Sequence, residues 1–230
     1  MILVLWDVDG TLINNGGVSK EMYAAAFEIL SGQPARVKAR TDGRTDPEIM
    51  RDLIEQHGLE QTSEHVAQLH SALAAAMRAK ADVLRKRGYA QPGGREAIDA
   101  LMQRSDIVQS VLSGNIRDNA YIKLSTFDLH EGLDWEVGAF GSDANHRPSL
   151  VKIAQERASA SYGAEFGPVN TVLIGDTLRD VRAGVEGGAR VIAVTTGVDS
   201  AEDLTREGAQ IVFRDLTNTV ALLDAVLQVS

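Results

Sequence analysis

The chain has 230 residues, 44% hydrophobic and 24% charged, with a formal net charge of −9. That length and balance fit one large globular domain or a core with a smaller second unit, and the acidic surplus argues against a nucleic-acid backbone as partner. The absence of cysteine excludes disulfides and thiolate chemistry. The opening apolar run, Met1 to Trp6, is too short for a signal peptide or a membrane span and follows no basic region, so no membrane partner and a cytoplasmic location are expected.

That run reads as a buried strand ending in Asp7-Val8-Asp9-Gly10-Thr11. Strand alternation predicts Asp7 and Asp9 on one side, where two close carboxylates repel unless a cation or a shared proton compensates. After the flexible Asn14-Asn15-Gly16-Gly17 turn, Ser19 is the expected N-cap of a first helix that ends at Gly32 and Pro34. Asp46-Pro47-Glu48 opens a second helix, with Asp46 as its expected N-cap, and Gly58 closes it. A third, alanine-rich helix runs from Thr62 or Ser63 to Arg87. This stretch carries no strand signal and reads as a helical insert over residues 16–89.

From Pro92 the pattern alternates. Helices are predicted over 94–104, 116–126, 148–162, 178–186, 201–207 and 216–227, and strands over 107–112, 136–140, 171–174, 190–194 and 211–213. Such alternation predicts an α/β fold, a doubly wound parallel sheet formed by residues 1–15 and 90–230. Open sheets of this kind bind ligands at the carboxyl ends of their strands. Three predicted strand ends carry polar residues there: Asp7 and Asp9; Ser113-Gly114-Asn115; Asp176 with Asp180 one turn later. Ser113 and Asp176 could each be a helix N-cap, but capping explains only one of Asp176 and Asp180. Together they make a hard-oxygen cluster of the kind that suits Mg²⁺.

Asp7-Val8-Asp9-Gly10-Thr11, Ser113-Gly114 and Gly175-Asp176-Thr177-Leu178-Arg179-Asp180 together resemble the first, second and fourth motifs of the haloacid dehalogenase-like (HAD) phosphohydrolases, in order and spacing across the whole chain. The resemblance implies a Rossmann-like core with an α-helical cap of the phosphoglycolate-phosphatase type inserted after the first motif. It implies Asp7 as a nucleophile forming an aspartyl phosphate, and Asp9 as the acid and then the base. Mg²⁺ would be held by Asp7, Asp176 and the main-chain carbonyl of Asp9, with Asp180 in support. Ser113 and Gly114 would hold phosphoryl oxygens, with Thr11, Asn115 and Arg44 as further substrate contacts. The third motif departs from the family's usual lysine-before-proline: the position falls on Arg147, with Lys152 one turn further on as its rival.

Thr41-Asp42-Gly43-Arg44-Thr45-Asp46 falls where relatives place a substrate-specificity loop, and it reads equally as an interhelix turn. The expected activity is Mg²⁺-dependent hydrolysis of a small phosphorylated metabolite. A phosphosugar mutase shares the same core and cap, and a non-catalytic binding protein is the alternative from another class. Asp9 speaks against a dehalogenase and against a pure binder. A phosphonate hydrolase would need a Schiff-base lysine in the cap, where Lys38 offers no clear match.

Overall fold

The computed structural model describes residues 1–41 and 43–228. Six parallel strands form one sheet: β1 (Ile2–Trp6), β4 (Ile107–Ser113), β5 (Ala139–Phe140), β6 (Thr171–Gly175), β7 (Arg190–Val194) and β8 (Ile211–Phe213). Their order is β5-β4-β1-β6-β7-β8, which puts β1 between the strands that carry the other two polar ends. Trp6 pairs in register with Val111 and with Ile174, so Asp7, Ser113 and Asp176 leave neighbouring strand ends at nearly one level.

Every residue of β1 is buried because helices cover both faces of the sheet. Ile2, Val4 and Trp6 pack on one face with α4 (Gly94–Met102), α5 (Arg117–Thr126) and α9 (Thr219–Leu227). Leu3 and Leu5 face the other way, against α6 (Arg147–Tyr162) and α7 (Leu178–Gly187). The alternation that fixes which side chain enters which layer also fixes the level at which the strand hands over to Asp7. The short helix α8 (Ala201–Glu207) closes the β7–β8 side through Leu204. This is the α/β parallel sheet that the alternating pattern predicts, in the Rossmann-like form that the family resemblance implies.

Between β1 and β4 lie α1 (Val18–Ser31), α2 (Asp46–Gln56) and α3 (Ser63–Arg87). They share a hydrophobic cluster of their own, built from Met22, Phe27, Met50, Leu53, Leu73 and Met77 among others, and Ile116 of the α/β part joins it. Where the chain enters and leaves this helical segment, β2 (Ile13–Asn14) and β3 (Tyr89–Ala90) form an antiparallel ribbon that sequence patterning did not predict. Two residues per strand are too few to show a period.

Several helix starts differ from expectation by one or two residues. Gly17, in the left-handed conformation, is the N-cap of α1, so Ser19 lies inside the first turn. Thr45, not Asp46, caps α2 through a reciprocal box with Glu48, and Pro47 follows in the first turn. Thr62 caps α3, which starts at Ser63 within the expected bounds. Among the described residues no helix is long and apolar enough to cross a membrane.

Candidate active site

Asp7, Asp9, Ser113, Gly114, Asn115, Arg147 and Asp176 line one cavity of about 330 Å³, together with Arg44, Lys20 and Tyr23 from the helical segment. Seven residues from four separate stretches of the α/β part therefore meet at the carboxyl edge of the sheet, as open α/β sheets favour.

One side of the cavity is acidic. The carboxylates of Asp7, Asp176 and Asp180 place oxygens within 4.8 Å of one another. Arg147, 8% exposed, reaches across from the start of α6: Nη2 donates to Asp7 Oδ1 at 2.6 Å and also to Asp180, while Nη1 donates to the Gly43 carbonyl at 3.2 Å. Burial, then the Asp180 charge, holds Asp7 well above the ordinary carboxylate range, against the pull of Arg147. Asp176 is raised for the same leading reasons, although a hydrogen bond from Thr11 opposes the shift. One guanidinium does not balance three buried carboxylates. The surplus of hard oxygen donors fits a divalent cation such as Mg²⁺, which favours carboxylate and water ligands.

Local backbone makes this cluster possible. Asp180 accepts from the Thr177 main-chain N–H at 2.9 Å and from its hydroxyl at 2.6 Å, completing a capping box at the start of α7. The helix N-terminus thus uses one Asp180 oxygen and leaves the other to Arg147. Asp176 is not the cap. Gly10 has φ of 98°, and a Cβ there would lie 2.2 Å from Asp176 Oδ2, so the first motif's turn can approach the fourth only without a side chain. A Cβ on Gly114 would likewise sit 2.2 Å from the Arg44 carbonyl, and the segment around Arg44 comes down directly on the second motif.

The other side of the cavity is built differently. Asp9 turns away from the acidic cluster. Its Oδ1 accepts from Asn15 Nδ2 at 2.8 Å, and its Oδ2 from Asn115 Nδ2 at 2.8 Å and from Lys123 Nζ at 2.6 Å. Burial alone would raise Asp9, but the Lys123 charge and these hydrogen bonds together bring it below its ordinary value. Asn115 also donates to Ser113 Oγ at 2.8 Å. Ser113 caps no helix: the N-cap of α5 is Ile116, whose N–H donates to Asp46 Oδ2 at 2.8 Å. Asp46 Oδ1 in turn accepts from the Tyr23 hydroxyl at 2.5 Å, so that Asp46 makes a buried bridge from the helical segment to the start of α5.

Some predicted site residues stand otherwise than expected. Thr11 is fully buried behind Asp176, to which its hydroxyl donates at 2.7 Å, so it orients a carboxylate and touches no cavity space. The Asp9 carboxylate stands outside the acidic cluster, which leaves only its main chain for a metal. Arg44 lines the cavity, yet its guanidinium is held by Asp52 at 3.0 Å and by the Glu48 carbonyl at 3.4 Å. Lys152, the rival to Arg147, is exposed on α6. Within the loop 41–46, Asp42 lies outside the described residues. Lys123 is the residue that sequence reasoning missed: an isolated lysine inside a helix reads as a surface charge, and only a position facing the buried side of α5 could have signalled otherwise.

Comparison with known proteins concerns the family and the fold. Residues 146–219, from the segment carrying Arg147 through the fourth motif, match the HAD-hydrolase-like family model. Solved structures share the fold end to end. A putative beta-phosphoglucomutase from Thermotoga maritima is 20% identical with a TM-score of 0.63, covering 99% of this chain and 100% of its own. A predicted phosphoglycolate phosphatase from Haemophilus somnus is 15% identical, TM-score 0.67, covering 97% and 98%. CbbY from Rhodobacter sphaeroides, solved in complex with phosphate, is 19% identical, TM-score 0.69, covering 97% and 100%. A comparison with curated proteins gave no match. The family match over residues 146–219 and the fold shared along the whole chain bear out the resemblance to the HAD-like hydrolases that the three motifs imply.

Proposed function

We propose that this protein is a Mg²⁺-dependent phosphomonoester hydrolase that works through an aspartyl phosphate on Asp7, with the helical segment over residues 16–89 as its cap. The observation that carries this reading is the placement of Asp7. It is a buried carboxylate oriented by Arg147 at 2.6 Å, beside a second acidic pair and facing the Ser113-Gly114 turn across a cavity sized for a small molecule.

In this account Asp7 attacks phosphorus and the ester oxygen leaves, its proton passing through Asp9, which is ionised among its donors in the free protein and first takes that proton up from solvent. Water then attacks the phosphorus of the aspartyl phosphate, the bond to Asp7 breaks, and Asp9 takes the water proton. Arg147, the Ser113 hydroxyl and the Gly114 N–H surround the phosphoryl oxygens, where fixed donors stabilise transition-state charge without reorganising. Asp7, Asp176 and the Asp9 carbonyl would hold Mg²⁺, with Asp180 in support. The ion would supply a Lewis-acid charge on the phosphoryl group and would favour ionised Asp7. Asn14, Asn15, Lys20 and Tyr23 around the remaining space suit a small, polar leaving group.

The test is phosphate release from p-nitrophenyl phosphate and from a panel of small phosphorylated metabolites, with Mg²⁺ and with excess chelator. Steady release that needs the metal is expected. Isomerised sugar phosphate with little free phosphate would identify a mutase, and binding without turnover would identify a non-catalytic protein.

A further inference from the structure

Lys123 is 1% exposed, and a lysine buried to that degree needs anionic and hydrogen-bonding partners. It has two: Asp9 Oδ2 at 2.6 Å and Asn115 Oδ1 at 2.7 Å. An ammonium only donates, so it fixes which end of the Asn115 amide faces it. The amide nitrogen is thereby turned to Asp9 Oδ2 and to Ser113 Oγ, each at 2.8 Å. With Asn15 on Oδ1 at 2.8 Å, both Asp9 oxygens meet donors alone. This cradle is drawn from three stretches: the loop after β2, the turn after β4 and the middle of α5.

We propose that Lys123 is a positioning residue for the hydrolytic half of the reaction, fixing Asp9 as the acceptor of the water proton when the aspartyl phosphate breaks down. The proposal rests on the reading of Asp7 and Asp9 given above. A carboxylate already held by three donors keeps one orientation while the phosphoryl group moves from substrate to Asp7 and then to water. Removing the ammonium frees both the carboxylate and the Asn115 amide. The step that suffers is the one in which Asp9 must accept a proton from a loosely held water. Transfer from p-nitrophenyl phosphate, whose leaving group departs with little help, is affected much less.

The Mg²⁺-loaded Lys123→Met enzyme on p-nitrophenyl phosphate tests this. Its kcat should fall on the order of 10²-fold, within the range general-base assistance supplies. KM should fall with it, so that kcat/KM changes by less than about 3-fold, since kcat/KM does not include breakdown of the intermediate. Rapid mixing should show a burst near one equivalent of p-nitrophenol, and Lys123→Arg should recover part of kcat. Equal losses in kcat and kcat/KM without a burst would overturn the proposal and make Lys123 a support of the fold or of the first step. Should Lys123→Met not fold, the Asp9→Asn/Lys123→Met pair removes the buried charge with its partner. Its kcat should equal that of Asp9→Asn, and a further drop would mean that Lys123 acts elsewhere. An Asp9→Asn enzyme that hydrolyses its intermediate at the wild-type rate would instead refute the role of Asp9, and the inference with it.

Discussion

Asp7 and Asp9 leave the same strand two residues apart and line the same cavity, yet their surroundings are opposite. Asp7 faces two more carboxylates and shares one guanidinium with Asp180, so burial and like charge drive it up. Asp9 faces an ammonium and two amides, which overcome the same burial and bring it down. The difference lies in what each neighbouring element contributes: α6 and α7 add charge to Asp7, whereas α5 and the loop after β2 neutralise Asp9. An incomplete electrostatic balance marks a place for something yet to bind, and a complete one marks a group held ready in position.

The largest expected effect tests the Asp7 side. Asp7→Asn should lower turnover by several powers of ten, because an amide cannot attack phosphorus. The same change removes one of the repelling charges, so the metal-free variant should melt no lower than wild type. Asp9→Asn should melt lower, since it leaves Lys123 buried without its counter-charge. Retained phosphatase activity in a folded Asp7→Asn protein would end the covalent account. Opposite melting shifts for the two variants would sharpen the contrast.

Arg147→Ala comes next. Loss of one preorganised donor to transition-state oxygens costs about 10²–10³-fold in kcat. Lys at 147 should restore part of this, as a point charge without the guanidinium's fork. A silent Arg147→Ala together with a damaging Lys152→Ala would move the role to the exposed helix residue.

Metal and pH give the third test. Asp7 and Asp176 have raised values, so each favours the folded protein with its proton on. That contribution is complete below the unfolded carboxylate value of about 3.9 and is lost as pH rises through the raised folded values. Asp9, lowered, has the opposite sign: its contribution is present above the unfolded value and disappears only as pH falls through the lower folded one. Metal-free Tm should therefore decline toward neutral pH, and Mg²⁺ should reverse the decline there more than at pH 5. At a hundredfold excess over Kd the linkage is worth about 2.7 kcal/mol, or roughly 5–10 °C for a chain of this size. A Tm that ignores Mg²⁺ at both pH values would leave the acidic cluster a structural feature.

The parallel sheet, most of its helices and the convergence of three strand ends were legible because each rests on local pattern: apolar runs, turn residues and polar residues at fixed places. The level pairing of Trp6 with Val111 and Ile174 is what turns those separate patterns into one site. Lys123 was not legible, since its meaning depends on which face of α5 meets Asp9 some hundred residues earlier in the chain. The caps at Gly17 and Thr45 were missed for a related reason: neighbouring Ser19 and Asp46 are equally good capping types, and tertiary context chooses between them. Asp46 serves elsewhere, accepting from Ile116 N–H and from Tyr23.

Arg44 gives the smallest expected effect, and its direction separates two ways in which the helical segment could serve the site. From sequence it is a specificity residue reaching the leaving group. In the structure its guanidinium is turned into α2, against Asp52 and the Glu48 carbonyl, while its own carbonyl lies over Gly114. The neighbouring Gly43 carbonyl accepts from Arg147. Main chain, then, is what this loop offers to the α/β part, and the side chain anchors the loop. Arg44→Ala should loosen that anchor and weaken a partly buried ion pair worth about 1 kcal/mol or less, a loss of roughly 3–5-fold in kcat/KM. Because the proposed roles of Gly114 and Arg147 concern the phosphoryl group alone, the loss should be the same for p-nitrophenyl phosphate and for the best metabolite in the panel. A loss confined to the metabolite would show that the guanidinium leaves Asp52 and reads the leaving group after all.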